Sequence, residues 1–155
     1  MKKHYSKRIF YVVLFLSIVA VVSIYHYPVN PAGPSVTVYK SPTCQCCNKW
    51  VSHLENNGFR VTAKNTRDVR SIKEKYGIRH DLSACHTAVI AGYFVEGHVP
   101  AQSIHRLLSE KPDIKGITVP GMPIGSPGME SGSRVDRYNV IAVNKSGNLS
   151  IYDSY

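Results

Sequence analysis

The sequence predicts a single α/β domain on the order βαβαββα, followed by a long Gly/Pro-rich loop and C-terminal strands, and preceded by an apolar N-terminal helix. Short β-branched and aromatic runs alternate with segments whose apolar residues recur at helical spacing. Gly, Pro, Asn and Asp punctuate the joins between them. A length of 155 residues with 43% hydrophobic content gives one modest core plus an appendage.

The appendage is residues 1–28. Lys2, Lys3, Lys7 and Arg8 precede an uncharged run from Ile9 to Ile24, and no further charge appears until Lys40. A helix apolar on every face has no side to give to water, so the segment is expected to enter a membrane as a signal anchor or signal peptide. Retention as an anchor is the favoured reading, because no clear A-x-A site follows the run. The basic flank keeps the N-terminus cytoplasmic and puts the chain beyond Tyr27 on the periplasmic side of the inner membrane. The net charge of +9 is then less than it looks. Removing the four flanking charges from 19 Lys and Arg leaves 15 against 10 acids, a net of +5 spread along the chain. That pattern reads as a solvated surface and gives no reason to expect a nucleic-acid partner.

Residues 29–34 form a tether of Pro31, Gly33 and Pro34, and the folded domain spans 35–155. Ser35 to Lys40 reads as a strand, broken by Ser41-Pro42-Thr43. From Cys47 the apolar residues Trp50, Val51 and Leu54 share one helical face, and Asn57-Gly58 stops it. Phe59 to Ala63 is the second strand, and Asp68 to Tyr76 the second helix. His86 to Ala91 and Tyr93 to Glu96 form a hairpin at Gly92. Pro100 opens a helix with Ile104, Leu107 and Leu108 inward. The loop from Val119 to Glu130 is dense in Gly and Pro and carries Met122 and Met129; strands at Tyr138 to Val143 and Leu149 to Tyr152 close the domain.

The chemistry is concentrated in Cys44-Gln45-Cys46-Cys47, three thiols in four residues where the first strand hands over to the first helix. Cys44 and Cys47 have the C-x-x-C spacing of redox sites, and a helix N-terminus stabilises a thiolate. The βαβα order with thiols at the end of the first strand resembles the thioredoxin fold, in which the loop entering the third strand faces the start of the first helix. Here that loop is Ser83-Ala84-Cys85-His86, with Cys85-His86 where thioredoxins carry a cis-proline. Two disulfides, a thiol-exchange site and a metal site are all open to these four cysteines. Adjacent Cys46 and Cys47 would close a strained ring as a disulfide but could bridge neighbouring metal ions. Copper(I), soft and content with low coordination, is the favoured ion. Zinc is less favoured, because paired C-x-x-C knuckles are missing. Cys44, Cys46, Cys47 and Cys85 are therefore the primary candidate ligands. His86 beside Cys85, His98 at the strand-to-helix corner, and the thioethers of Met122 and Met129 are the secondary ones. His53, His80 and His105 read as surface residues.

The C-x-C-C motif followed by Trp50, the segment Ser83-Ala84-Cys85-His86-Thr87-Ala88, the run from Gly92 to Ala101, and the Val119–Glu130 loop together resemble the CopG-like periplasmic proteins. The resemblance covers about Val36 to Tyr155. It implies a thioredoxin-like domain that binds copper through its cysteines, serves in copper resistance and interconverts Cu(I) and Cu(II), with copper efflux or oxidation proteins as partners. One departure is Gln45, at a spacer position where glycine is common in the family.

Overall fold

The computed structural model describes residues 33–155. The expected N-terminal helix and most of the tether lie outside the described residues. Among those described, no helix is long and apolar enough to cross a membrane.

The elements run β1 (Ser35–Lys40), α1 (Gln45–Asn56), β2 (Arg60–Asn65), α2 (Val69–Lys75), a 3-10 turn at His80–Leu82, β3 (His86–Ile90), β4 (Tyr93–Glu96), α3 (Ala101–Glu110), β5 (Ile114–Thr118), β6 (Asn139–Asn144) and β7 (Leu149–Ser154). They form a mixed α/β fold around a seven-stranded sheet in the order β2-β1-β3-β4-β5-β6-β7. Pairs β1–β2 and β4–β5 are parallel, each joined by a crossover helix, and the rest are antiparallel. The predicted order holds through α3, with boundaries moved by a residue or two. β5 was not anticipated: Ile-Lys-Gly-Ile-Thr is short and mixed, and it is a strand because it pairs with both β4 and β6. Pro100 is the N-cap of α3 rather than its first helical residue.

One face of the sheet carries the main core. Val36 and Val38 of β1 and Ala88 and Ile90 of β3 pack with Trp50 and Leu54 of α1 and with Ile104 and Leu107 of α3, all buried. The apolar stripe of α1 is why this helix lies flat on the sheet with its N-terminus at the end of β1. Trp50 is completely buried. Its indole Nε1–H donates to the Val99 carbonyl at 2.9 Å, so the ring brings its apolar area to the core without stranding its donor. That bond ties α1 to the segment between β4 and α3.

Candidate metal centre

Four elements converge at the C-terminal end of β1. Cys44 is the N-cap of α1 and accepts the Cys47 amide N–H at 3.4 Å, so the local turn that starts the helix also gathers the thiols. Cys44 and Cys47 are joined as a disulfide, while Cys46 and Cys85 are free thiols. The Cys46 sulfur lies 3.5 Å from that of Cys44 and 3.8 Å from that of Cys85. All four sulfurs fall within 4.8 Å of one another. The structure therefore brings together the four primary residues from two loops separated by 38 positions.

Two histidines join them. Cys85 Sγ is 3.3 Å from His86 Nδ1 and 3.1 Å from His98 Nε2. His98, at its strand-to-helix corner, is fully buried. Its Nδ1–H donates to the Pro127 carbonyl at 2.8 Å, which leaves Nε2 as the lone pair facing the sulfur. Burial holds His98 below the usual imidazole range. His86 is held well below it, first by burial and then by the charges of His98, Lys73 and Lys40. Both rings are therefore neutral at pH 7 and can offer a nitrogen lone pair. His86 packs at a tilt against Trp50 with centroids 4.3 Å apart, and its Nε2 is buried with no hydrogen-bond partner among the described residues. Burial, and then the neighbouring Cys46, push the Cys85 thiol up to about 12, so in the metal-free state this sulfur keeps its proton.

The Gly/Pro loop is folded down over the site. Gly128 has φ +85, and a Cβ there would come within 2.9 Å of both the Cys46 carbonyl oxygen and the Trp50 amide nitrogen. Only glycine allows this approach. At the other end of the loop the Gly121 N–H donates to the Ser83 carbonyl at 3.5 Å. Met129 and Met122 follow these two anchor points directly. Met122 is 53% exposed and Met129 half-buried, so the loop places one thioether in solvent and the other partly inside.

Behind the Cys85 loop lies a polar network that sequence reasoning missed. Glu96, fully buried at the end of β4, accepts the Ala84 amide at 2.6 Å and the Thr87 hydroxyl at 2.6 Å, and forms an ion pair with Lys73 of α2. Burial raises its pKa, while Lys73 and the two donors act in the opposite sense. Through Ala84 and Thr87 the network holds the residues on either side of Cys85-His86. A charged residue inside an otherwise apolar strand, Tyr-Phe-Val-Glu, was the available signal. His53 also departs from a surface role: half-buried, it accepts the Ala101 N–H at 3.1 Å and so caps α3.

A family profile described as "Protein of unknown function, DUF411" matches residues 82–129, the stretch from the Cys85 loop through Met129. No curated protein matches the chain. Two solved structures, of "Copper resistance protein copG" in forms 2 and 1, share 45% of their sequence with it, with TM-scores of 0.77 and 0.76. Each match covers 79% of this chain and 98% of the other. The chain belongs to the CopG family. The match takes in nearly the whole of those chains. Within this CopG-family chain the donor set fits a soft metal. Reduction of the Cys44–Cys47 bond would give four sulfurs in reach of one another, with two oriented imidazoles beside Cys85.

Proposed function

We propose that this protein holds Cu(I) on the exported side of the inner membrane, as a thioredoxin-like copper-resistance protein whose cysteines bind more than one ion. The observation that carries this is the convergence of four sulfurs within 4.8 Å, with His86 and His98 against Cys85. Two sulfurs would suffice for thiol exchange. Adjacent Cys46 and Cys47 at one helix start, faced by Cys85, suit thiolates that bridge neighbouring ions, and Cu(I) tolerates the low coordination numbers this allows. Met129 and Met122 would serve as soft ligands at the rim, where ions enter and leave. The basic flank and apolar run at the N-terminus provide the tether, and copper efflux or oxidation proteins are the partners this role requires.

A redox role is compatible with the same site. When the Cys44 and Cys47 thiols close to a disulfide they release two electrons and two protons, the number of electrons that takes two Cu(II) to Cu(I). The disulfide in the structure favours a second reading, a metal-free thiol-disulfide oxidoreductase.

The test is Cu(I) loading of the reduced domain under anaerobic conditions, desalting, and native mass spectrometry. More than one copper per chain, with fewer retained after Cys46→Ser or Cys85→Ser, is the expected result. No retained copper, together with a Cys44–Cys47 redox couple that is indifferent to Cys46→Ser, would leave the oxidoreductase reading standing.

A further inference from the structure

A lysine is almost never buried without a counterion, yet Lys40 is 4% exposed and has no carboxylate partner among the described residues. Its ammonium donates to Asn65 Oδ1 at 2.9 Å and to the Ser41 carbonyl at 3.4 Å. The Cys44 amide donates to that same carbonyl at 3.2 Å. The cation therefore lies within two hydrogen-bond lengths of the Cys44 backbone, where the chain turns into the cysteine cluster. On the other side Lys40 is the direct antiparallel partner of His86, the neighbour of Cys85. Directly opposed residues point to the same face of the sheet. The other lysine in this region, Lys73, is compensated by Glu96, but Lys40 is not.

We propose that Lys40 is the buried counter-charge of the cysteine cluster, a positioning residue whose ammonium stabilises anionic sulfur in the reduced site and so strengthens its hold on Cu(I). Two thiolates around one Cu(I) carry a net negative charge, and so does any cluster with more thiolates than ions. Such a group is costly to bury unless a cation lies near it. The ammonium donates to Asn65 Oδ1 and to the Ser41 carbonyl, so its donors are not left bare in the fold. The metal half of this inference rests on the copper reading above; the thiolate half does not.

The competing role is structural, with Lys40 only fastening the ends of β1 and β2 through Asn65. Lys40→Met and Lys40→Gln remove the charge, and Gln keeps a donor should Met fold poorly. Lys40→Arg keeps the charge, and Asn65→Ala removes the tie while leaving the lysine. The two hydrogen bonds that share the Ser41 carbonyl put the ammonium within about 10 Å of the Cys44 sulfur, and a unit charge at about that distance, at an effective dielectric near 20, is worth about 15-fold in the stability of an anion. Two readouts apply: Cu(I) affinity by competition with a chromogenic Cu(I) chelator, and the rate of iodoacetamide alkylation of the reduced, metal-free thiols at neutral pH, which follows thiolate content. Both should fall about tenfold or more in Lys40→Gln, recover in Lys40→Arg, and change by less than about threefold in Asn65→Ala. Alkylation of Lys40→Gln at the wild-type rate would overturn the proposal, as would an Asn65→Ala loss equal to that of Lys40→Gln. A wild-type protein that binds no copper, while Lys40→Gln still slows alkylation, would remove the copper reading and leave the counter-charge in place.

Discussion

Glu96→Gln tests the network behind the Cys85 loop. The substitution is isosteric, and its amide oxygen can still accept from the Ala84 N–H now held at 2.6 Å, but it removes the charge opposite Lys73. The Lys73 side chain is 14% exposed and the Glu96 side chain fully buried, so the abandoned ammonium has little water to turn to. Breaking a buried pair from one side typically costs about 3–5 kcal/mol. Allowing for the partial access of Lys73, about 2–4 kcal/mol is expected here. Removing both charges in Lys73→Met/Glu96→Gln should recover much of that loss, because the cost lies in the orphaned charge and not in the absence of the pair. Urea titrations of the metal-free protein at pH 7 read this directly, since the midpoint shift multiplied by the slope gives the loss. The effect should reach function through the Ala84 amide: a looser turn holds Cys85 less well, and copper retention should fall in the single variant. A loss below about 1 kcal/mol, with the double variant no better than the single one, would mean that Glu96 is already protonated in the fold. Burial pushes it in that direction, so the measurement decides between desolvation and the three donors.

Gly128→Ala forces a Cβ to within 2.9 Å of the Cys46 carbonyl oxygen and the Trp50 amide nitrogen at a left-handed φ. A loss of about 1–3 kcal/mol in urea is expected, with the loop lifted from α1; an unchanged midpoint would show that the loop is not seated on the helix. Trp50→Phe leaves the buried Val99 carbonyl without its donor and a void beside His86, and should cost about 2–4 kcal/mol by the same assay. Acid should destabilise the metal-free, disulfide-bonded protein through its buried imidazoles. His86, His98 and His53 have pKa values lowered from 6.5 by burial, so below that pH the unfolded chain takes up protons that the fold refuses. Their contribution is complete above pH 6.5 and is lost as pH falls below it, with a slope of about 1.4 kcal/mol per pH unit from His86 alone. Urea midpoints between about pH 7.5 and 5.5 should show this slope in the wild type and a shallower one in His86→Gln; equal slopes would refute the assignment.

The elements through α3 were legible because each carries its own period and its own stop signal. The stripe of Trp50, Val51 and Leu54 announces a helix wherever it is read, and Gly92 between two apolar runs announces a hairpin. β5 was not legible, because a five-residue mixed segment has no period strong enough to declare itself and becomes a strand only between two partners. The C-x-C-C cluster and Cys85 were legible as candidate ligands because thiol chemistry is intrinsic to the side chain.

Whether a histidine, lysine or glutamate belongs to a site is a different kind of property. His53, Lys40 and Glu96 are ordinary surface residues as letters, and His98 is a candidate ligand by its place at a corner; here His98, Lys40 and Glu96 are buried and His53 is half-buried. What they do depends on which carbonyl, amide or sulfur the fold sets beside them. The α/β order, the clustered thiols and the soft-metal chemistry open to them can be read from local pattern and side-chain identity. That the two cysteine loops face each other, that Pro127 orients His98, that the Glu96–Lys73 pair holds the Ala84 amide, and that Lys40 has no carboxylate partner among the described residues all follow from the packing of the chain. Local pattern fixes secondary structure and intrinsic reactivity, but burial and electrostatic pairing are set by contacts between residues far apart in the chain.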